Sequence, residues 1–407
     1  MNRLPLPWVE SVMSRRLRPR RGLAATAVAL GAAVVLAACG SNAGSDEEAA
    51  GGAALSADQL PGASAEFTTD FTKHSVPLGE FMSGGPPKDG IPAIDDPKLV
   101  SVQEADSFLD AGEPVALLEV DGQARAYPIQ ILVWHEIVND EIAGEPVTVT
   151  FCPLCNSTVA FSRELDGRVL DFGTTGRLRN SDLVMYDRQT ESWWQQLTAE
   201  AVVGELTGSQ LEILPSQILS WEEVKRVYPK AEVLSRDTGS GRDYGSNPYT
   251  GYDDPDSQPF LLGRNADDRL PPKERVTAIQ TGEGSAVVYP FPTVAKDAPI
   301  NDEIDGTPVV VLFDPAVKSA LDAAEIAGSR EVGAAAVFER EVDSRELSFE
   351  PGDEPGTARD RETGSIWDTT GRALSGPLEG KRLVQVASDD QFWFALAAFI
   401  QDVDIRG

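Results

Sequence analysis

Residues 139–155 read Asn139-Asp140-Glu141-Ile142-Ala143-Gly144-Glu145-Pro146-Val147-Thr148-Val149-Thr150-Phe151-Cys152-Pro153-Leu154-Cys155. Pro146 to Phe151 alternates Val-Thr-Val-Thr, the period-two pattern of a half-buried strand, and that strand leads directly into a Cys-x-x-Cys pair. Much of the stretch recurs. Residues 125–155 align without gaps on residues 287–317, at a constant offset of 162. Tyr127-Pro128 falls on Tyr289-Pro290, Asn139-Asp140-Glu141-Ile142 on Asn301-Asp302-Glu303-Ile304, and Phe151 on Phe313. Twelve of the 31 positions are identical, where composition alone gives roughly two. The match resumes downstream, where Asp187-Arg188, Thr190, Ser192 and Trp194 face Asp360-Arg361, Thr363, Ser365 and Trp367. The repeat predicts two tandem copies of one fold.

The copies differ where chemistry resides. His135 becomes Asp297, Cys152 becomes Asp314, Cys155 becomes Val317, and Met185 falls at about Ala358. Turn residues, aromatic residues and apolar alternation are shared, as a common fold requires. The donor atoms that bind soft metals or carry electrons are not. The expected site therefore lies in the first copy alone.

Most remaining segments read as short strands. Residues 115–120 and 123–127 flank Asp121-Gly122, and 158–163 and 168–172 flank Asp166-Gly167, both hairpin signals. Helical patterns are confined to 102–110, 129–138, 220–228, 316–327 and 391–400. The expected fold class is α+β, mainly antiparallel β. The expected domains are a first repeat over 80–235, a linker over 236–275 and a second, degenerate repeat over 276–407. The linker, rich in Gly, Asp, Pro and Tyr, is expected to pack over the first repeat or its site.

The N-terminus has its own logic. Arg3, Arg15, Arg16, Arg18, Arg20 and Arg21 precede an uncharged Ala/Val/Leu run, which ends Leu36-Ala37-Ala38-Cys39-Gly40. This pattern predicts a signal peptide over 1–38, lipidation of Cys39 and a location outside the cytoplasm, anchored to the cell membrane by lipid. Residues 39–79 are expected to form the lipidated cysteine and a flexible tether. Removing the six arginines and Glu10 from the chain's 35 basic and 65 acidic residues leaves 29 and 64, a net charge of −35. Such a surface repels phosphate backbones, which argues against nucleic acid as a partner.

With Cys39 assigned to lipid, only Cys152 and Cys155 remain. Three uses are open: a soft-metal site, a thiol–disulfide exchange pair acting on an exported protein or small thiol, and a structural disulfide in an interaction or scaffold lipoprotein. In exchange enzymes the motif opens a helix that lowers the first thiol's pKa. Here Asn156-Ser157-Thr158-Val159-Ala160-Phe161 alternates as a strand, so the expected geometry is strand, cysteine turn, strand. Asn156 tolerates the positive φ such a knuckle often needs. For a metal, copper or zinc, His135 is the candidate third ligand and Met185 a soft fourth. The competing roles are a structural polar contact for His135 and core filling for Met185. Arg177, Arg179, Asn180 and Ser181 make a locally basic stretch that could receive an anion or neutralise nearby carboxylates.

Several segments in one order carry a family resemblance: Gly84-Gly85-Pro86-Pro87-Lys88-Asp89-Gly90-Ile91-Pro92-Ala93, Trp134-His135-Glu136-Ile137-Val138-Asn139-Asp140, Phe151-Cys152-Pro153-Leu154-Cys155, Met185-Tyr186-Asp187-Arg188 and Asn247-Pro248-Tyr249. From about residue 80 onward the chain resembles the bacterial family called domain of unknown function 3179. The family has no established activity, so the resemblance implies identity without mechanism.

Overall fold

The computed structural model describes residues 62–282 and 284–407, and the expected signal peptide, Cys39 and the start of the expected tether lie outside them. The N-terminal half runs β1 (Pro114–Val120), β2 (Gln123–Pro128), α1 (Ile129–His135), β3 (Ile137–Ile142), β4 (Glu145–Cys152), β5 (Ser157–Ser162), β6 (Phe172–Arg179), β7 (Asp182–Asp187), β8 (Trp193–Gln195), β9 (Glu200–Val203), β10 (Ser216–Ser220), α2 (Trp221–Val227) and β11 (Glu232–Leu234). The C-terminal half runs β12 (Arg275–Gly282), β13 (Ser285–Pro290), α3 (Phe291–Asp297), β14 (Ile300–Ile304), β15 (Thr307–Asp314), β16 (Ala334–Glu339), β17 (Phe349–Pro351), β18 (Thr357–Asp360), β19 (Ile366–Asp368), β20 (Asp389–Phe392), α4 (Trp393–Phe399) and β21 (Asp402–Ile405). Shorter strands extend several sheets. The fold is mainly antiparallel β with few, short helices, consistent with the α+β expectation.

Each half contributes three larger sheets and one two-stranded hairpin. In the N-terminal half the larger sheets are β10-β1-β2-β11, β5-β4-β3 and β6-β7-β8-β9; in the C-terminal half, β20-β12-β13-β21, β14-β15-β16 and β17-β18-β19. The closing strand pairs parallel in both halves, β11 with β2 and β21 with β13. Individual hydrogen bonds recur as well. Tyr127 donates to Asp140 at 2.7 Å and Tyr289 to Asp302 at 2.6 Å. Trp194 donates to Asp187 and Trp367 to Asp360, each at 2.9 Å. Asn139 bonds both backbone groups of Phe172, and Asn301 both of Phe349.

The largest hydrophobic cluster contains residues of both halves, from Phe151 and Trp194 to Val276 and Trp393. Hydrogen bonds cross between the halves in both directions. The Phe392 N–H donates to the Cys155 carbonyl at 2.8 Å, and Asp389 Oδ1 accepts the Thr158 N–H at 3.1 Å. Asp314 Oδ2 in turn accepts from the N–H and hydroxyl of Ser220.

Three expectations need correction. The tether does not extend to residue 79: Ala63–Glu66 is helical, and Phe67, Phe71 and Phe81 close around Trp193 with ring centroids 5.2, 5.2 and 5.3 Å away. Widely spaced aromatic residues in polar sequence supply enough apolar surface to dock the segment. Residues 316–327 form no α-helix, only the start of a 3-10 turn at Ile326–Gly328, because tertiary partners take their backbone groups. The carbonyls of Leu321, Asp322 and Ala324 accept from Tyr252, Gly251 and Asn247, and the Lys318 N–H donates to Gly112. In the second hairpin, Glu164–Leu165 rather than β5 pairs with Arg168–Val169. The segment 236–275 lies between the two halves' strands, and its Tyr249 and Tyr252 enter the large core cluster.

Candidate functional site

The cysteine turn forms for local reasons. β4 and β5 pair in register down to Cys152 opposite Ser157, so the chain must reverse within Pro153-Leu154-Cys155-Asn156. The Cys155 N–H closes the turn on the Cys152 carbonyl at 3.2 Å, and Asn156 takes φ 53. The expected strand, turn, strand geometry is present, and no helix begins at the motif. The two thiols are free and are 1% and 0% exposed.

A second hairpin completes the group. Asn180 and Ser181 carry φ 49 and 74 at the turn between β6 and β7, which directs Asp182 toward the cysteines. Cys155 Sγ lies 3.3 Å from Asp182 Oδ1 and 3.7 Å from the Ser181 carbonyl, with Cys152 Sγ 4.0 Å from that carbonyl. One donor atom from each of Cys152, Cys155 and Asp182 lies within 4.8 Å of the others. The other carboxylate oxygen of Asp182 accepts from the Gln195 amide and from the Leu197 N–H at 3.1 Å, which fixes the group's orientation.

The electrostatics point one way. Burial pushes Asp182 up to about 6 despite those hydrogen bonds. Glu136 is pushed up to about 8, first by burial and then by the charge of Asp182. Burial also raises both thiols, and the carboxylate of Asp182 adds to the effect. Glu136 takes φ 60 immediately after α1, a rare conformation for a side chain of its size and one that recurs at functional sites. Tyr249 and Tyr252, each 7% exposed, close the surroundings; burial raises both, with the charges of Glu136 and Cys152 adding for Tyr249 and those of Cys155 and Cys152 for Tyr252.

Among the expected ligands the structure brings together Cys152 and Cys155 but not His135. Both ring nitrogens of His135 are engaged elsewhere, Nδ1 with the Pro92 carbonyl at 2.7 Å and Nε2 with the Tyr244 hydroxyl at 2.6 Å. Those contacts match the alternative of a structural polar contact. Met185 is fully buried in the core, on β7 opposite Thr174 and Trp194. It shares the hydrophobic cluster that contains Cys152 and Cys155, as core filling requires. The basic stretch neutralises carboxylates: Arg177 meets Glu66 at 3.2 Å and Arg179 meets Glu80 at 2.7 Å. Sequence reading missed Asp182 and Glu136. Glu136 adjoins the suspected histidine, and Asp182 directly follows the basic stretch, so a search for acidic residues beside marked positions would have found both.

Comparison with known proteins gives one match. A profile of the family described as "Protein of unknown function (DUF3179)" matches residues 88–403. No curated protein and no solved structure matches the chain.

Proposed function

We propose, for a chain that belongs to the DUF3179 family of unknown function, that Cys152, Cys155 and Asp182 bind one thiophilic metal ion, zinc in preference to copper. The carrying observation is the convergence of two unlinked thiols and an oriented carboxylate within 4.8 Å. Around a tetrahedral zinc, sulfur donors at about 2.3 Å stand roughly 3.8 Å apart, so the group needs only a small contraction. Two thiolates and a carboxylate, buried together, repel one another, and a divalent cation relieves that repulsion. With both ring nitrogens of His135 engaged elsewhere, the imidazole that favoured copper is lost, and the carboxylate oxygen suits zinc. Three protein donors leave a fourth position for water or a substrate atom.

The exchange reading asks for a reactive, accessible thiolate. Burial and raised thiol pKa values count against it here. The test is elemental analysis and a thiol count on protein purified reduced and without oxygen. We expect about one zinc per chain, lost from Cys152→Ser and Cys155→Ser. Absence of metal, with a reduction potential in the range of exchange enzymes, overturns the proposal in favour of an oxidoreductase acting on exported proteins or small thiols.

Two further readings accompany this one. The halves are copies of one fold, supported by their common element order and recurrent hydrogen bonds. On that alignment Glu136 falls on Ala298, and at the downstream offset of 173 Asp182 falls on Pro355, so the second copy lacks all four acidic and thiol groups. An experimental structure in which Tyr127, Phe151 and Trp194 fail to superpose on Tyr289, Phe313 and Trp367 overturns this reading. The chain is also an exported lipoprotein held by a lipid on Cys39. Among the described residues no helix is long and apolar enough to cross a membrane. Cys39→Ser should abolish acyl labelling and membrane retention, and unchanged retention with an uncut N-terminus favours a signal anchor instead.

A further inference from the structure

On the alignment of the halves, a hollow of about 150 Å³ in the second half lies where the first has the surroundings of its cysteine turn. It is bounded by the end of α3, the end of β15 and the start of β18. Its lining is shortened at several positions. Ala295 and Ala298 stand where the first half has Val133 and Glu136, and Ala358 and Thr369 where it has Met185 and Gln196. Strand pairing supports the match, since Ala358 lies opposite Trp367 as Met185 lies opposite Trp194. Room that the first half fills with side chains is open in the second.

The walls are apolar and fixed. The Phe313 ring packs edge-on with Phe291, their centroids 5.8 Å apart and their planes at 90°. Gly333, at φ 78, comes so close that a Cβ there would fall 2.0 Å from the Phe313 Cζ, so the ring has no room to retreat. Pro299 and Pro315 add flat ring faces and have no N–H to donate. Among the described residues the only polar side chains in the lining are two threonines, and both hydroxyl protons are committed. Thr357 donates to the Glu354 carbonyl at 2.6 Å and Thr369 to Glu223 at 3.2 Å. Ordered water needs about two to four polar partners, more than such walls readily provide. The hollow is open to solvent, with Ala295 and Pro315 exposed at its rim, Pro299 and Phe313 half-buried, and Ala358 buried at its base.

We propose, on the reading of the halves as copies, that this hollow binds one uncharged aromatic ring carried by a small molecule. The volume sets the size, since an apolar cavity of about 150 Å³ accepts a benzene ring. The lining sets the charge. No charged side chain belongs to it among the described residues, so an ion entering the hollow would shed hydration without gaining a partner. The walls set the shape. Phe313 offers the edge or offset contacts that aromatic pairs prefer, and a planar ring meets the flat proline faces more fully than a puckered one. The second half has exchanged donor atoms for room, and with them chemistry for binding.

The test is saturation-transfer NMR on the full-length chain with benzyl alcohol, cyclohexylmethanol and benzoate as probes. We expect saturable binding of benzyl alcohol, at least roughly threefold tighter than that of the more apolar cyclohexylmethanol, and no binding of benzoate. Ala358→Met restores the side chain of the first half and should weaken benzyl alcohol by at least roughly tenfold. Ala298→Leu, filling the hollow from a half-buried position, should do the same, and it serves if the methionine variant fails to fold. No saturable signal from benzyl alcohol means that the hollow holds water alone, and the proposal fails. It fails equally if cyclohexylmethanol or benzoate binds as tightly, or if binding survives undiminished in a folded variant of either kind. Superposition of the halves is not read by these measurements, so their descent from one fold and binding by the hollow fail separately.

Discussion

Asp182 divides its carboxylate between two tasks. Oδ2 is tied to Gln195 and Leu197, while Oδ1 faces Cys155. Asp182→Asn should therefore leave the turn in place and remove a ligand charge. We expect zinc affinity, measured by competition with a chromophoric chelator, to fall by more than the roughly 10–100-fold typical of outer-shell partners. His135→Ala should leave zinc stoichiometry unchanged and cost about 1–3 kcal/mol in urea unfolding, because Tyr244 and the Pro92 carbonyl lose a buried partner. Loss of zinc from that variant would restore His135 as a ligand. The contrast shows what one chain position discloses. Cys152 and Cys155 were legible because their geometry is local, fixed by two alternating strands and a four-residue turn. Asp182 was not, because it reaches Cys155 through a separate hairpin. For His135 the sequence marks an unusual residue without showing that Tyr244, over a hundred residues later, engages its ring.

The cysteine turn itself depends on Asn156, whose φ of 53 lies where β-branched side chains are strained. Asn156→Gly should change stability by only a few tenths of a kcal/mol, whereas Asn156→Val should cost about 1–2 kcal/mol and loosen zinc binding. Equal stability of the two variants in urea titrations would remove the turn's conformation from the account. The hairpin at Asp121-Gly122, with φ 48 and 77, was readable because alternation meets a turn dipeptide there, whereas at Asp166-Gly167 the turn was readable and the paired strands were not. The stretch 316–327 was not, for a physical reason. Its composition favours a helix, but its carbonyls are bonded to residues 247–252, and tertiary bonds override propensity. The segment so held carries Tyr249 and Tyr252 to the cysteine group.

Across the whole molecule, the halves meet over buried carboxylates. Burial pushes Asp390 up to about 7, above its ordinary value of 3.8. The folded protein therefore binds a proton that the unfolded chain releases between those values. The stabilisation is full below about pH 4 and is lost as pH rises through about 7. Asp390→Asn can still accept from Ala335 and donate to Thr277, so it should flatten the decline in unfolding midpoint between pH 4 and 8. A slope identical to wild type would place the titration elsewhere. The bonds between the halves have another consequence, which concerns the order of manufacture. The carbonyl of Cys155 and the N–H of Thr158 find their partners in Phe392 and Asp389, and Asp389 leaves the ribosome 231 residues after Thr158. A nascent or truncated chain can form the cysteine turn but cannot finish it. Under the zinc proposal, cofactor loading then waits on biogenesis, open only to chains that extend through Phe392 and have closed upon themselves.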